Sequence, residues 1–216
     1  SVARNPGGND SWHYYYLYGL ERAGRLSGRR FFGDHDWYRA GVRLLIAQQR
    51  PDGSWGQGRD SVTNLCNTSF ALLFLSKGLI PILINKAKFG RGDDWNNAPN
   101  DVNNLTEFIA GEWKMRLNWQ IVDLASVGDV RDLLQAPILQ FSGHDAPAFT
   151  DREKRLLRDY VEQGGLIVAD ANCSVESFDE GFRALCKELF PDPGQELHRI
   201  DAGHGVWPSH FNLQPM

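Results

Sequence analysis

Cys173 is the residue best placed by its neighbours to do covalent chemistry. It stands in Asp170-Ala171-Asn172-Cys173-Ser174, between the apolar run Leu166–Ala169 and the amphipathic stretch Ser177–Phe190. A strand-to-helix turn of this kind is where a nucleophile elbow presents its attacking atom. His144, in Ser142-Gly143-His144-Asp145, would generate a thiolate if it came within hydrogen-bond reach, and the pair would then suit amide or acyl-transfer chemistry. The flanks argue the other way. Asp-Ala-Asn-Cys-Ser-Val lacks the glycines of a G-x-C-x-G elbow, and a small cysteine packed near the top of a sheet is a common inert outcome.

The other polar groups suited to a site are Ser126, Ser142, Asp145, Asp170 and Asn172, with Asp123 beside them. All fall at or just after apolar runs that read as strands. In an open parallel sheet, ligands bind beyond the carboxyl ends of the strands. These residues are therefore candidate ligand contacts. Metal chemistry has little to stand on. Cys66, Cys173 and Cys186 are scattered, no CxxC pair or close Cys/His cluster gives zinc spacing, and His204 and His210 have no identifiable co-ligands. Neither a metal site nor a cofactor is expected. Cys186 shares a helical face with Phe182 and Leu189 and reads as core.

The elements that must carry these residues fall into two parts. In residues 1–80, apolar positions recur at helical spacing: Trp12, Tyr16, Leu20 and Ala23; then Trp37, Ala40, Leu44 and Leu45; then Phe70, Leu73 and Phe74. Asp34 or Asp36 is expected to cap the second helix, Asn67 to cap the third and Gly78 to end it. Gly90–Asn104 is polar and reads as a linker or an irregular domain entrance. In residues 81–216 a helix around Leu105–Trp113 is followed by strands at Trp119–Leu124, Pro137–Phe141 and Leu166–Ala169. Helices are expected at Val130–Gln135, Thr150–Gln163 and Ser177–Phe190. Thr150 and Glu153 form a capping box, and Gly164-Gly165 ends that helix. The alternation implies a parallel sheet with right-handed crossovers.

With 42% hydrophobic and 23% charged residues over 216 positions, a packed core is expected. A net charge of −4 argues against a general nucleic-acid binder. The longest apolar stretch, Phe70–Ile84, is broken by Lys77, Gly78 and Pro81 and does not span a bilayer. No signal peptide is visible, which leaves the compartment open.

Gln49-Arg50-Pro51-Asp52-Gly53-Ser54-Trp55-Gly56 resembles the QW repeat of squalene and hopene cyclases and of related prenyltransferase-type α/α toroids. In those proteins the motif is structural, so it speaks for a fold and not for a reaction. The D-x-D-D acid of class II cyclases is not matched by Asp34-His35-Asp36-Trp37. Tyr14-Tyr15-Tyr16-Leu17-Tyr18 fits packing better than a carbocation pocket.

A second resemblance covers most of the chain. Leu83–Lys86, Asp94–Asn97, Asp101–Phe108, Trp119–Asp123, Gly164–Asp170 with Cys173, Phe182–Leu185 and Glu188–Asp192 resemble a bacterial family of unknown function with a class I glutamine-amidotransferase-like fold. In that family the domain follows squalene-cyclase-type repeats, with the pattern seen at residues 18–26. The resemblance implies an α plus α/β fragment of a larger protein, with partial toroid repeats in 1–80 and a partial flavodoxin-like or glutamine-amidotransferase-like sheet domain in 81–216. It carries no reaction, and the late His-x-Glu pair of true amidotransferases is absent. Three readings stand: a non-catalytic binding or scaffold protein for an unknown small molecule or protein partner; a thiol-dependent amidase or hydrolase using Cys173 and His144; and a terpene-processing enzyme whose catalytic groups lie outside this segment.

Overall fold

A computed structural model describes residues 12–33, 35–56, 60–76, 80–210 and 213. Its first part is helical. α1 (His13–Leu26) leads through the two-residue strands β1 (Phe31–Phe32) and β2 (His35–Asp36), which pair antiparallel, into α2 (Trp37–Gln48) and α3 (Ser61–Leu75). Asp36 caps α2 as expected, its carboxylate accepting the Arg39 N–H at 2.9 Å. The cap of α3 is Asp60, which accepts the Thr63 N–H at 2.7 Å. Asn67 therefore lies inside the helix, a correction to the expected boundary. Asp34 and Gly78 lie outside the described residues.

The turn after α2 is a helix terminator built from side chains. Trp55 is buried, and its indole N–H donates to Leu45 O at 2.7 Å, a last-turn carbonyl that the helix itself leaves free. The Gln49 amide donates to Gly53 O at 3.1 Å across the same turn. Leu17, Trp37, Leu45, Ala71 and Phe74 complete a core between the three helices. A closed toroid is not among the described residues of this part.

The second part is a four-stranded parallel sheet in the spatial order β4-β3-β5-β6, from β3 (Ile82–Lys88), β4 (Asn118–Asp123), β5 (Ile138–Gly143) and β6 (Leu166–Ala171). Its helices are α4 (Asp101–Trp113), α5 (Val130–Leu133), α6 (Asp151–Glu162) and α7 (Glu176–Leu189). The Thr150–Glu153 capping box forms at the start of α6. The core of α5, α6 and α7 is one cluster with Ala87, Val122, Leu139 and Phe141, while α4 packs through Val102 on Ile84 and Ile138. That segregation is what right-handed crossovers require when the chain first steps from β3 to β4 and then reverses to β5 and β6. Within the larger cluster the Tyr160 hydroxyl donates to Ala136 O at 3.0 Å, and burial pushes its pKa up to about 12.

β3 holds the centre of the sheet although its sequence does not read as a strand. The reason is two buried polar residues in succession. Asn85 donates to Leu133 O at 2.7 Å and accepts from the Gln120 amide at 2.9 Å on one face. Lys86 donates to Asp101 at 2.7 Å and to Ala98 O at 2.8 Å on the other. Each buried polar group is thus paired, as burial demands.

Of the two expectations for residues 90–104, the linker is corrected and the irregular entrance to the domain stands. It contains a 3-10 turn at Asp94–Asn96, the buried Trp95 and the start of α4.

The two parts are bonded through the outer edge of β4. Arg29 bridges Ile121; the Arg30 N–H donates to Ile121 O at 3.1 Å and the Ile121 N–H to Gly28 O at 2.5 Å. Gly28 makes this possible. Its φ is +64°, and a Cβ would stand 2.8 Å from the Trp119 ring. Arg30, almost wholly buried, then contacts Asp36 at 2.5 Å, Asp132 at 3.3 Å and Gln135. Arg39 reaches Asp132 at 2.6 Å. No helix among the described residues is long and apolar enough to cross a membrane.

Candidate functional site

The sheet order places a crevice between β3 and β5, where successive connections leave in opposite directions and ligands of open α/β sheets are found. Here the crevice is roofed by the chain itself. After Lys88 the loop folds back so that the Asp94 carboxylate accepts the backbone N–H groups of His144 and Asp145, each at 3.0 Å. Gly143 allows the approach: a Cβ there would stand 2.7 Å from Asp94 Oδ2 and 3.2 Å from the Phe178 ring. Burial raises the Asp94 pKa. The Asp145 N–H, the Asn97 amide and the His144 N–H outweigh it and hold the carboxyl below the usual range.

The same loop anchors the His144 ring. Asn97 Nδ2 lies 2.6 Å from Asp94 Oδ1 and 2.6 Å from His144 Nδ1, and Nδ1 is also 3.3 Å from Asp94 Oδ1. A carboxylate only accepts, so Nδ2 must be the atom facing it. His144 Nδ1 is thus engaged on the roof, between one amide donor and one carboxylate acceptor. No hydrogen bond joins His144 to the Cys173 thiol among the described residues; the His144 carbonyl instead accepts the Ser177 hydroxyl at 2.6 Å.

Cys173 is exposed, inside a 3-10 turn at Asn172–Ser174 that follows β6. Its φ is +54° and that of Ser174 is +56°, a left-handed conformation costly for residues with a Cβ. The register Gly143↔Ala171 puts His144 and Asn172 level just past the ends of neighbouring strands. Asn172 Nδ2 is buried without a hydrogen-bond partner among the described residues. Asp145 and Asp170 are exposed.

Two other candidates are placed elsewhere than the sequence reading put them. Ser142 is still within β5, buried, its hydroxyl donating to Trp95 O at 3.3 Å beneath the roof. Ser126 ends a 3-10 turn after β4, with β3 and β5 lying between it and β6. At about 4.8 Å per strand it is on the order of 14 Å from Asp170. The structure thus gathers His144, Asp145, Asp170, Asn172 and Cys173 on one rim, buries Ser142 below it and leaves Ser126 apart. Asp94 and Asn97 escaped the sequence reading. The signal was the run Asp93-Asp94-Trp95-Asn96-Asn97, whose tryptophan is too large for an idle linker.

Cys186 is half-buried on α7, and burial pushes its thiol pKa up despite the charge of Arg183, which fits its reading as core. Among the described residues no group of three or more His, Cys, Asp and Glu side chains is arranged to hold a metal ion.

Parallel strands flanked by helices, with polar side chains at the strand ends, define an α/β domain. The chain belongs to the family described as Domain of unknown function (DUF4159), whose model matches residues 83–216, from within β3 onward. Neither a curated protein nor a solved structure matches the chain.

Proposed function

We propose that this chain is a non-catalytic binding or scaffold protein whose ligand sits on the strand-end rim of the α/β part. Residues 1–80 act as the supporting scaffold and residues 81–216 bear the site. The observation that carries this reading is the anchoring of His144. Its Nδ1 is held by Asn97 at 2.6 Å and Asp94 at 3.3 Å, and no hydrogen bond joins the ring to Cys173 among the described residues, so the pair is not assembled as nucleophile and base. Asn172 Nδ2, buried and unpartnered among the described residues, lies at the same level of the sheet. An amide donor without a partner near the exposed carboxylates of Asp145 and Asp170 suits a neutral ligand with an acceptor, such as an amide or carbonyl group. The resemblance of the second part to glutamine-amidotransferase-like domains and of the first to QW-type repeats supports the architecture, with the catalytic elements missing.

The left-handed backbone of the exposed Cys173 favours a second reading, a thiol-dependent amidase or hydrolase. One experiment separates the two. Nitrogen chemical shifts of His144 report the protonated ring atom, and iodoacetamide alkylation reports the thiol. The binding reading expects the Nε2–H form and a Cys173 thiol that alkylates slowly at neutral pH, unchanged in His144→Ala. A proton on Nδ1 together with rapid alkylation at neutral pH, lost in His144→Ala, would reject it in favour of the thiol enzyme.

A further inference from the structure

Among the described residues, the outer edge of β6 is bare. In a parallel ladder the N–H and C=O of one residue point the same way, and the direction alternates along the strand. The Leu166 N–H reaches Pro137 O at 2.9 Å. Leu166, Val168 and Asp170 therefore bond toward β5, while Ile167, Ala169 and Ala171 turn their backbone groups to the open edge. Neither Lys nor Pro interrupts the strand and no bulge twists it away, the devices by which exposed edges are guarded. Leu166 and Val168 are also exposed, at 56% and 41%.

The chain beyond α7 is set up to fill this edge. α7 packs in the same core as α6, with Lys154 and Arg158 of α6 donating to Glu188 at 2.7 Å and to Leu189 O at 2.8 Å, so α7 ends alongside α6 on the helix-covered side of the sheet. Residues 190–195 then turn, with the Gln195 N–H donating to Asp192 O at 3.2 Å. Six residues lie within the length of about 2–6 usual for a helix-to-strand connection. A right-handed crossover from this side delivers the next strand beside β6. Residues 196–201, Glu-Leu-His-Arg-Ile-Asp, come next; they belong to no strand, and Leu197 and Ile200 are exposed. After them comes a ready-made turn, the His204 N–H donating to Asp201 O at 3.0 Å.

We propose that residues 196–201 dock on β6 as a fifth parallel strand, the structure showing the undocked state, and that docking carries Asp201 and His204 to the rim beside Asn172 and Cys173. The rim is then completed by the chain's own segment. The docking itself is independent of the binding reading; only the use made of Asp201 and His204 rests on it.

Amide hydrogen exchange on the 216-residue chain tests this without any ligand, so failure of the binding reading leaves the result intact. The amides of Ile167, Ala169 and Ala171 are expected to exchange at least about tenfold more slowly than unprotected ones. Of two adjacent residues in a strand, one faces its neighbour, so the double variant Arg199→Pro/Ile200→Pro removes a ladder contact in either phase. That variant should release the three amides while leaving those of Ala87 and Val122 protected, which also shows that it folds. Replacing both residues by Gly should weaken the protection less. Free exchange of the three amides in the parent chain overturns the proposal. So does protection that survives the double variant, and so does protection that rises with protein concentration alongside a dimer in light scattering, which would name a second copy as the occupant.

Discussion

The two outer strands of the sheet face opposite fates. β4 meets Gly28, Arg29 and Arg30 along its free edge, and behind them a buried set of charges runs from Arg30 and Asp36 to Asp132 and Arg39. β6 meets no strand on its far side among the described residues and shows Leu166 and Val168 on one face. The helical part is thus more than an appendage: it finishes one edge of the sheet and shields the central core from that side. The difference teaches where rigidity and adaptability are divided. Change at the β4 edge should cost folding energy, and change at the β6 edge should alter what binds or docks.

The largest effect is expected where the two parts share charges. Asp132→Ala leaves Arg30 and Arg39 short of an anion, with Arg30 still buried, and should destabilise the chain by about 3–5 kcal/mol in urea denaturation. Arg30→Met/Asp132→Leu should cost clearly less than the sum of the single changes; strict additivity would mean that the pair is not coupled. Next comes Gly28→Val, which forces a β-branched residue to a positive φ against Trp119 and should cost about 2 kcal/mol. A loss below about 0.5 kcal/mol would show that the β4 edge contact is not part of the stable fold.

On the rim, Asp94→Ala should cost about 2 kcal/mol at neutral pH through its charge-assisted hydrogen bonds. The sign of its pH dependence comes from the depressed folded-state pKa. The contribution is whole above the unfolded value of about 3.9 and is lost as pH falls through the lower folded value. The gap in denaturation midpoint between wild type and variant should therefore be constant near neutral pH and close as the pH falls below about 3.9; a gap that widens on acidification would contradict the assignment. The smallest contrast lies in one substitution made twice. Val122→Thr places a hydroxyl in a fully buried site of β4 and should cost about 1–3 kcal/mol. Val168→Thr on β6 should stay within about 0.5 kcal/mol. Equal losses would mean that β6 is covered as thoroughly as β4.

Most of the helices and three of the strands could be read from the chain, because Leu156-Leu157-Tyr160 and Leu139-Phe141 keep plain helical and alternating periods. β3 could not. Asn85 and Lys86 break both patterns, and the partners that excuse them, Gln120, Asp101 and the Leu133 carbonyl, lie 15 to 48 residues away. Likewise Cys173, His144 and Asn172 were legible because they come directly after apolar runs. Asp94 was not, since its bonds to residues 50 and 51 positions later exist only once β5 stands beside β3. Ser142 is read as lying past its strand because the periodicity ends the strand two residues early, whereas it is buried within β5. Asn67 was taken for a cap because the polar run Ser61–Asn64 hides the first turn of a helix that Asp60 starts.

Lys86 bears on how the molecule can move. Its ammonium is sealed in the middle of the sheet, and the anion it meets is the first residue of α4. Were α4 to lift, a lone cation would be stranded in oil. That helix and the central strand must therefore travel as a single mechanical piece, and any hinge in this protein lies elsewhere.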